Sequence, residues 1–242
     1  VLRDVQGLDT EIDATFERAL GELRALGVEL VDPVTHPPHV VGARAGLVKT
    51  ICDTEVPEEF DRYFRSLGAG FPHSFAGLVA AADAHRSSLT GPDPWFPRVY
   101  EHYRTRVGEM PARTSRLYRS AHEHGLAMMQ DGVLGLFERH RVAALVYCTR
   151  ANLPDRVGAE PARGTPGAKP TSLRDLANIT GFPDMIVPAG KTAAGIPISI
   201  SFVGPAFSEP QLLAFAYAYE QATRHLPLAA SMPPLPGESI DL

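Results

Sequence analysis

Residues 177–190 read Ala-Asn-Ile-Thr-Gly-Phe-Pro-Asp-Met-Ile-Val-Pro-Ala-Gly, and residues 195–204 read Gly-Ile-Pro-Ile-Ser-Ile-Ser-Phe-Val-Gly. Met185-Ile186-Val187 is a short apolar run closed by Pro188 and Gly190. Ile196 to Val203 alternates until Phe202-Val203 makes it apolar on both faces. Runs of this kind between Gly and Pro signals are strands of a central sheet. Lys191 to Gly195 forms the turn between them, with glycines at hand for positive φ. Beyond Gly204, Ser208-Glu209-Pro210-Gln211 offers a hydroxyl and an amide to the free backbone donors of a helix start. Leu212, Phe215, Ala216, Tyr219 and Ala222 then keep the spacing of one buried face, and Pro227 stops the helix.

In order, the chain carries Asn-x-x-Gly-x-Pro at 178–183, Val-Pro-Ala-Gly at 187–190, Gly-x-Pro at 195–197 and Phe-Val-Gly at 202–204. Phe-x-Glu at 207–209 and Glu-Gln-Ala-Thr at 220–223 follow. Each motif is weak alone, but the ordered set resembles the C-terminal part of the amidase signature family, firmly over 142–225 and loosely before that. The resemblance implies an α/β fold, the C-terminal portion of an α/β/α layered structure with a mixed central sheet. Residues 1–242 would form a single domain whose tail from about 228 is loosely structured. The implied chemistry is hydrolysis of carbon–nitrogen amide bonds by a serine nucleophile, a second serine in a cis peptide and a lysine base, with no metal and no cofactor.

Those catalytic groups belong to the family's N-terminal half. Lys49, Lys169 and Lys191 are the lysines of this chain, and none stands in the family's lysine context. Ser87-Ser88 lacks the flanking glycines that let backbone N–H groups form an oxyanion hole, so the pair reads as solvated helix-end residues. No catalytic residue is therefore assigned. Cys148, Thr149, Thr171 and Asn178, near strand ends, are candidates for a substrate-pocket wall. Expected partners are a small-molecule amide and the missing N-terminal half, with a homo-oligomer possible. Two other readings stay open: a non-catalytic binding or assembly module of the same fold, and a thiol hydrolase using Cys148.

The composition suits a globular α/β protein, at 242 residues, 44% hydrophobic and 21% charged. A net charge of -5 without a basic run argues against nucleic acid. Cys52 and Cys148 form neither a disulfide framework nor a metal-ligand spacing, which points to a reducing cytoplasmic setting. Signal-peptide and membrane-spanning patterns are both missing. Val1-Leu2-Arg3 begins already close to a strand, as in a chain cut from something longer.

Earlier segments read as follows. A helix runs from about Thr10 to Leu26, with Thr10 and Asp13 as its capping pair and Phe16, Leu20, Leu23 and Leu26 inward. Gly27 ends it, and Val28 to Val31 alternates as a strand. His36-Pro-Pro-His39 could be a metal pair but lacks a third ligand and reads as an extended connector. Phe60, Tyr63 and Phe64 turn inward from an exposed helix. Residues 73–140 are mainly helical, with a break at 91–97. The run from about Ser115 to His140 turns Leu117, Ala121, Gly125, Met128, Gly132 and Leu136 inward and leaves His122-Glu123-His124 at the surface, because residues two apart do not share a face. Residues 142–147 are the next strand. The stretch 155–170, rich in Gly and Pro, is a surface loop.

Cys148 stands where the family carries proline, after an apolar strand. For it to act as a nucleophile, Arg150 would have to lower its pKa, and no histidine lies in the following seventy residues. A buried structural cysteine is the expectation.

Overall fold

The computed structural model describes residues 1–85, 101–104, 107–154 and 170–226. They group into two compact units, one of residues 1–37, 132–154 and 170–226 and one of residues 38–85, 101–104 and 107–131. The expectations for Ser87-Ser88, the break at 91–97, Lys169 and the tail from 228 fall outside the described residues, as does nearly all of the 155–170 loop. Among the described residues, no helix is long and apolar enough to cross a membrane.

In the first unit, β2 (Asp184–Lys191) and β3 (Pro197–Val203) form the expected antiparallel hairpin, with a bulge between Pro188 and Gly190. Residues 192–195 make the turn. Thr192 N–H donates to the Ile196 carbonyl, the Ile196 N–H donates back to Thr192 Oγ1, and Gly195 takes φ 82°. β1 (Leu145–Cys148) pairs antiparallel with β3, giving the order β1-β3-β2. Leu2 adds a donor bond to the Val146 carbonyl and a parallel bridge to Val34.

Strand alternation and the observed register divide the sheet into two faces. Val146, Cys148, Ile198, Ile200, Phe202 and Val187 form one core with two helices, α1 (Thr10–Ala25) and α7 (Glu209–Thr223). From α1 come Ile12, Phe16, Ala19, Leu20 and Leu23, spaced at three and four, and from α7 come Leu212, Ala216 and Tyr219. Tyr219 Oη also donates to Glu22 at 2.7 Å, tying the two helices together. The bulge brings the Ala189 carbonyl to Arg18, which donates to it at 2.5 Å.

The helix ends differ from expectation in detail. Asp9, not Thr10, caps α1, accepting from the N–H groups of Glu11 and Ile12, while Asp13 accepts from Gly7. Ser208 precedes α7 but donates to the Pro205 carbonyl instead of capping the helix, and Arg224 at φ 49° ends it. Leu26, Phe215 and Ala222, expected inward, are exposed. Residues 28–31 form no strand, and β1 begins at Leu145 rather than Val142.

In the second unit, α2 (Pro38–Arg65) buries Phe64 but leaves Phe60 and Tyr63 exposed, against expectation. α3 (Phe75–Ala84) is capped by Ser74, and Phe75 packs edge-on to Tyr103 at 5.0 Å. α4 (Arg116–Arg119) runs into a π-helical turn (Ser120–Gly125) and on into α5 (Leu126–His140), whose residues from Gly132 belong to the first unit. The π turn moves the inward frame. Tyr118 and Met129 are buried, while Leu117 and Met128 are exposed. At Gly125 a side chain would meet the end of Leu47, which would have to shift to admit it. Arg113 bonds Glu58 and Glu59, and Tyr118 Oη donates to Glu55 at 2.6 Å. α6 (Arg174–Thr180), in the first unit, ends at Gly181 with φ 71°, a left-handed conformation that favours glycine.

Candidate functional site

On the sheet face opposite the α1/α7 core, the register sets Tyr147 beside Ser201 and Ser201 beside Ile186, with Thr149, Ser199 and Asp184 one pleat away. This face sets a group of polar side chains beside buried Leu145 and Val203, where the other is apolar. Tyr147 Oη donates to Asp184 Oδ2 at 2.5 Å. Thr149 Oγ1 and Ser201 Oγ bond each other at 2.9 Å, and Ser172 Oγ donates to the Thr149 carbonyl at 2.7 Å. Asp184 Oδ1 is buried without a hydrogen-bond partner among the described residues. Burial pushes the Asp184 carboxyl above the usual carboxylate range, against the opposing pull of the Tyr147 and Ser201 donors. The Tyr147 hydroxyl is pushed well up by burial and by the Asp184 charge.

Two of the four residues singled out from sequence meet here. The Ala151 N–H donates to the Thr171 carbonyl at 2.8 Å, which brings exposed Thr171 to the exit of β1 beside Thr149. Asn178 is exposed on α6 and takes no part in these bonds. Cys148 points to the opposite face, into the α1/α7 core, at 1% exposure. Its thiol donates to the Arg150 carbonyl at 3.1 Å, and burial pushes its pKa up to about 11. That is the environment of a structural cysteine, not of a thiolate nucleophile.

A direct consequence is slow chemistry at this thiol. In the native protein, Cys148 is expected to react with a disulfide reagent at least about 100-fold more slowly than exposed Cys52. Prompt labelling of Cys148, read by peptide mass spectrometry, would contradict its placement.

Asp184 makes a second prediction. The folded state holds its proton to higher pH than the unfolded chain does, so its contribution is complete below the unfolded pKa of about 3.9. That contribution is lost as pH rises through the raised folded value. Urea unfolding of the parent and Asp184→Asn from pH 4 to pH 8 should show the parent losing stability relative to the variant. A parent that gains on the variant over that range would show the shift has the other sign.

Among the described residues of the first unit, no lysine joins this face. Lys49 is paired with Asp53 in the second unit, and Lys191 is exposed at the end of β2. His36, the first histidine of His36-Pro-Pro-His39, is buried with Nδ1 3.0 Å from Asp4 Oδ2, while His39 is exposed at the start of α2. Sequence reading missed both the His36–Asp4 pair and the Tyr147–Asp184–Ser201 cluster, since only chain pairing brings those residues together. The Tyr147, Ser201 and Thr149 hydroxyls are buried and bond within the cluster, and Thr171 at the exit of β1 is exposed. Among the described residues, this face includes no lysine to serve as a base.

The amidase family profile matches residues 1–213. The chain belongs to the amidase family. A glutamyl-tRNA(Gln) amidotransferase subunit from Synechococcus sp. (strain CC9605) is 28% identical over 222 residues, which cover 91% of this chain and 43% of that protein. The native peptide amidase of Stenotrophomonas maltophilia superposes with a TM-score of 0.73 at 27% identity, over 91% of this chain and 42% of that one. A 6-aminohexanoate cyclic dimer hydrolase shares the fold at a TM-score of 0.57 and 21% identity. The chain thus spans less than half the length of these amidase relatives, and it matches their C-terminal portion.

Proposed function

We propose that residues 1–242 are the C-terminal portion of an amidase-type hydrolase that cleaves carbon–nitrogen amide bonds, and that they supply one wall of its substrate pocket. The match of the family profile over residues 1–213 carries this reading. On the family's chemistry, a serine attacks the amide carbonyl while its proton passes through a second serine to a neutral lysine. The amine leaves with a proton, and water then releases the acyl group. The nucleophile, the relay and the base come from the portion that this chain does not span. The exit of β1 supplies hydroxyls that orient the amide, with Thr171 accessible and Thr149 held by Ser201 and Ser172.

Thr171→Ala tests the assignment in a hybrid that places these residues behind the N-terminal portion of the Stenotrophomonas peptide amidase. Because Thr171 is exposed, the substitution spares the fold. The expected result is a KM for peptide amides raised about five-fold with kcat held within about two-fold, the pattern of a lost binding contact. Unchanged kinetics would remove Thr171 from the pocket.

A further inference from the structure

Where the end of α7 meets α1 and the bulge of β2, one ring nitrogen stands between two opposite neighbours. His225 Nε2 lies 2.8 Å from Arg18 Nη1, a donor, and 2.9 Å from Glu22 Oε1, an acceptor. A histidine nitrogen either carries a proton or offers a lone pair, so it cannot serve both at once. Arg18 Nη1 also donates to Glu22 Oε1 at 2.5 Å, and Tyr219 Oη donates to Glu22 Oε2 at 2.7 Å. Burial works to raise the Glu22 carboxyl, but the bonds from Tyr219, His225 and Arg18 outweigh it and hold the carboxyl below its usual range. Glu22 therefore stays charged from neutral pH down to about pH 5. The titratable groups against the His225 ring are thus Arg18 and Glu22 of α1 and Tyr219 of α7, whose ring centroid is 6.3 Å away. From β2 comes a carbonyl. The other arm of Arg18, Nη2, donates to Ala189 at the bulge, in the space that Gly190 (φ 134°) leaves open. All of these residues belong to the first unit.

We propose that His225 is a pH-sensitive latch that sets the hold of Arg18 on the β2 bulge. In the neutral ring, Nε2 accepts from Arg18 and the proton sits on Nδ1. Arg18 is then held among Glu22, His225 and the Ala189 carbonyl. In the protonated ring, Nε2–H donates to Glu22, and a second cation 2.8 Å from Arg18 Nη1 drives the guanidinium away. The Ala189 carbonyl loses its donor. Acid thus tightens the end of α7 on α1 and loosens the bulge.

Two measurements test the latch. Nitrogen NMR of the His225 ring at about pH 8 should show Nδ1 protonated and Nε2 bare. Amide hydrogen exchange at residues 189–191, corrected for its intrinsic pH dependence and referred to the amides of β3, should quicken at least about ten-fold from about pH 8 to about pH 5, the span over which histidines titrate. In His225→Gln, whose neutral amide can accept from Arg18 at every pH, the change should stay under about two-fold. Asp184 does not mimic this, because its titration strengthens the fold toward acid and moves the β3 reference with it. A ring with Nε2 protonated at pH 8 would overturn the proposal. So would bulge exchange that does not change with pH in the parent, or a glutamine variant that responds as the parent does. The ring measurement uses the parent alone, so it decides the matter even if the variant loses β3 protection.

Discussion

Phe16→Ala is expected to lower the urea midpoint of the first unit by roughly 1–5 M. The ring is 0% exposed and sits between both helices and the sheet, in the same core as Leu20, Ile200 and Leu212. Truncation there loses the burial of the ring and leaves a cavity that a close-packed interior closes only in part, a cost of about 3–5 kcal/mol. A domain of this kind has about 5–15 kcal/mol in all, and with a urea slope of about 1–3 kcal/mol/M the loss becomes the stated shift. Tyr217→Ala, on the exposed side of α7, is the matched comparison and should stay within about 0.5 kcal/mol. Equal midpoints for the two variants would mean that the core is not organised around α1.

The hairpin was legible because its local signals agree: apolar runs closed by Pro188 and Gly190, a turn ending in Gly195, and alternation through Ile198, Ile200 and Phe202. α1 was legible for the same reason, and its cap was misplaced by one residue because Asp9 and Thr10 are both cap formers and only geometry chooses between them. The frame of the 116–140 helix was legible in part: Ala121, Gly125 and Leu136 are buried as expected, while Leu117 and Met128 are exposed. A π turn at Ser120–Gly125 carries an extra residue per turn, and no local residue preference announces it. Residues 28–31 have a strand pattern without a paired strand beside them, and a pattern alone does not supply hydrogen bonds. Tyr147, Asp184 and Ser201 come from three strands, so their meeting depends on register. The resemblance to the amidase family came through because its motifs mark turns and strand ends, where few residue types are sterically allowed.

The second large effect concerns catalysis. Residues 1–242 alone should hydrolyse peptide amides no faster than buffer. Cys148 is a buried thiol with a raised pKa, Lys49 is bound to Asp53, and Lys191 stands away from the hydroxyls of the polar face. Without an activated nucleophile and a base within reach of it, the site can bind an amide but not attack it. Losing such groups costs about 10⁴–10⁶ in kcat, so supplying them should restore a rate of that order. Circular dichroism and the β3 amide protection establish first that the hybrid with the N-terminal portion of peptide amidase is folded. Steady-state hydrolysis of one peptide amide is then measured for residues 1–242 and for that hybrid. The expected result is turnover by the hybrid at least about 10⁴-fold above residues 1–242, which stay at the buffer rate. A folded hybrid no faster than residues 1–242, or residues 1–242 that turn over the amide by themselves, would contradict the assignment of this chain as the C-terminal portion of an amidase.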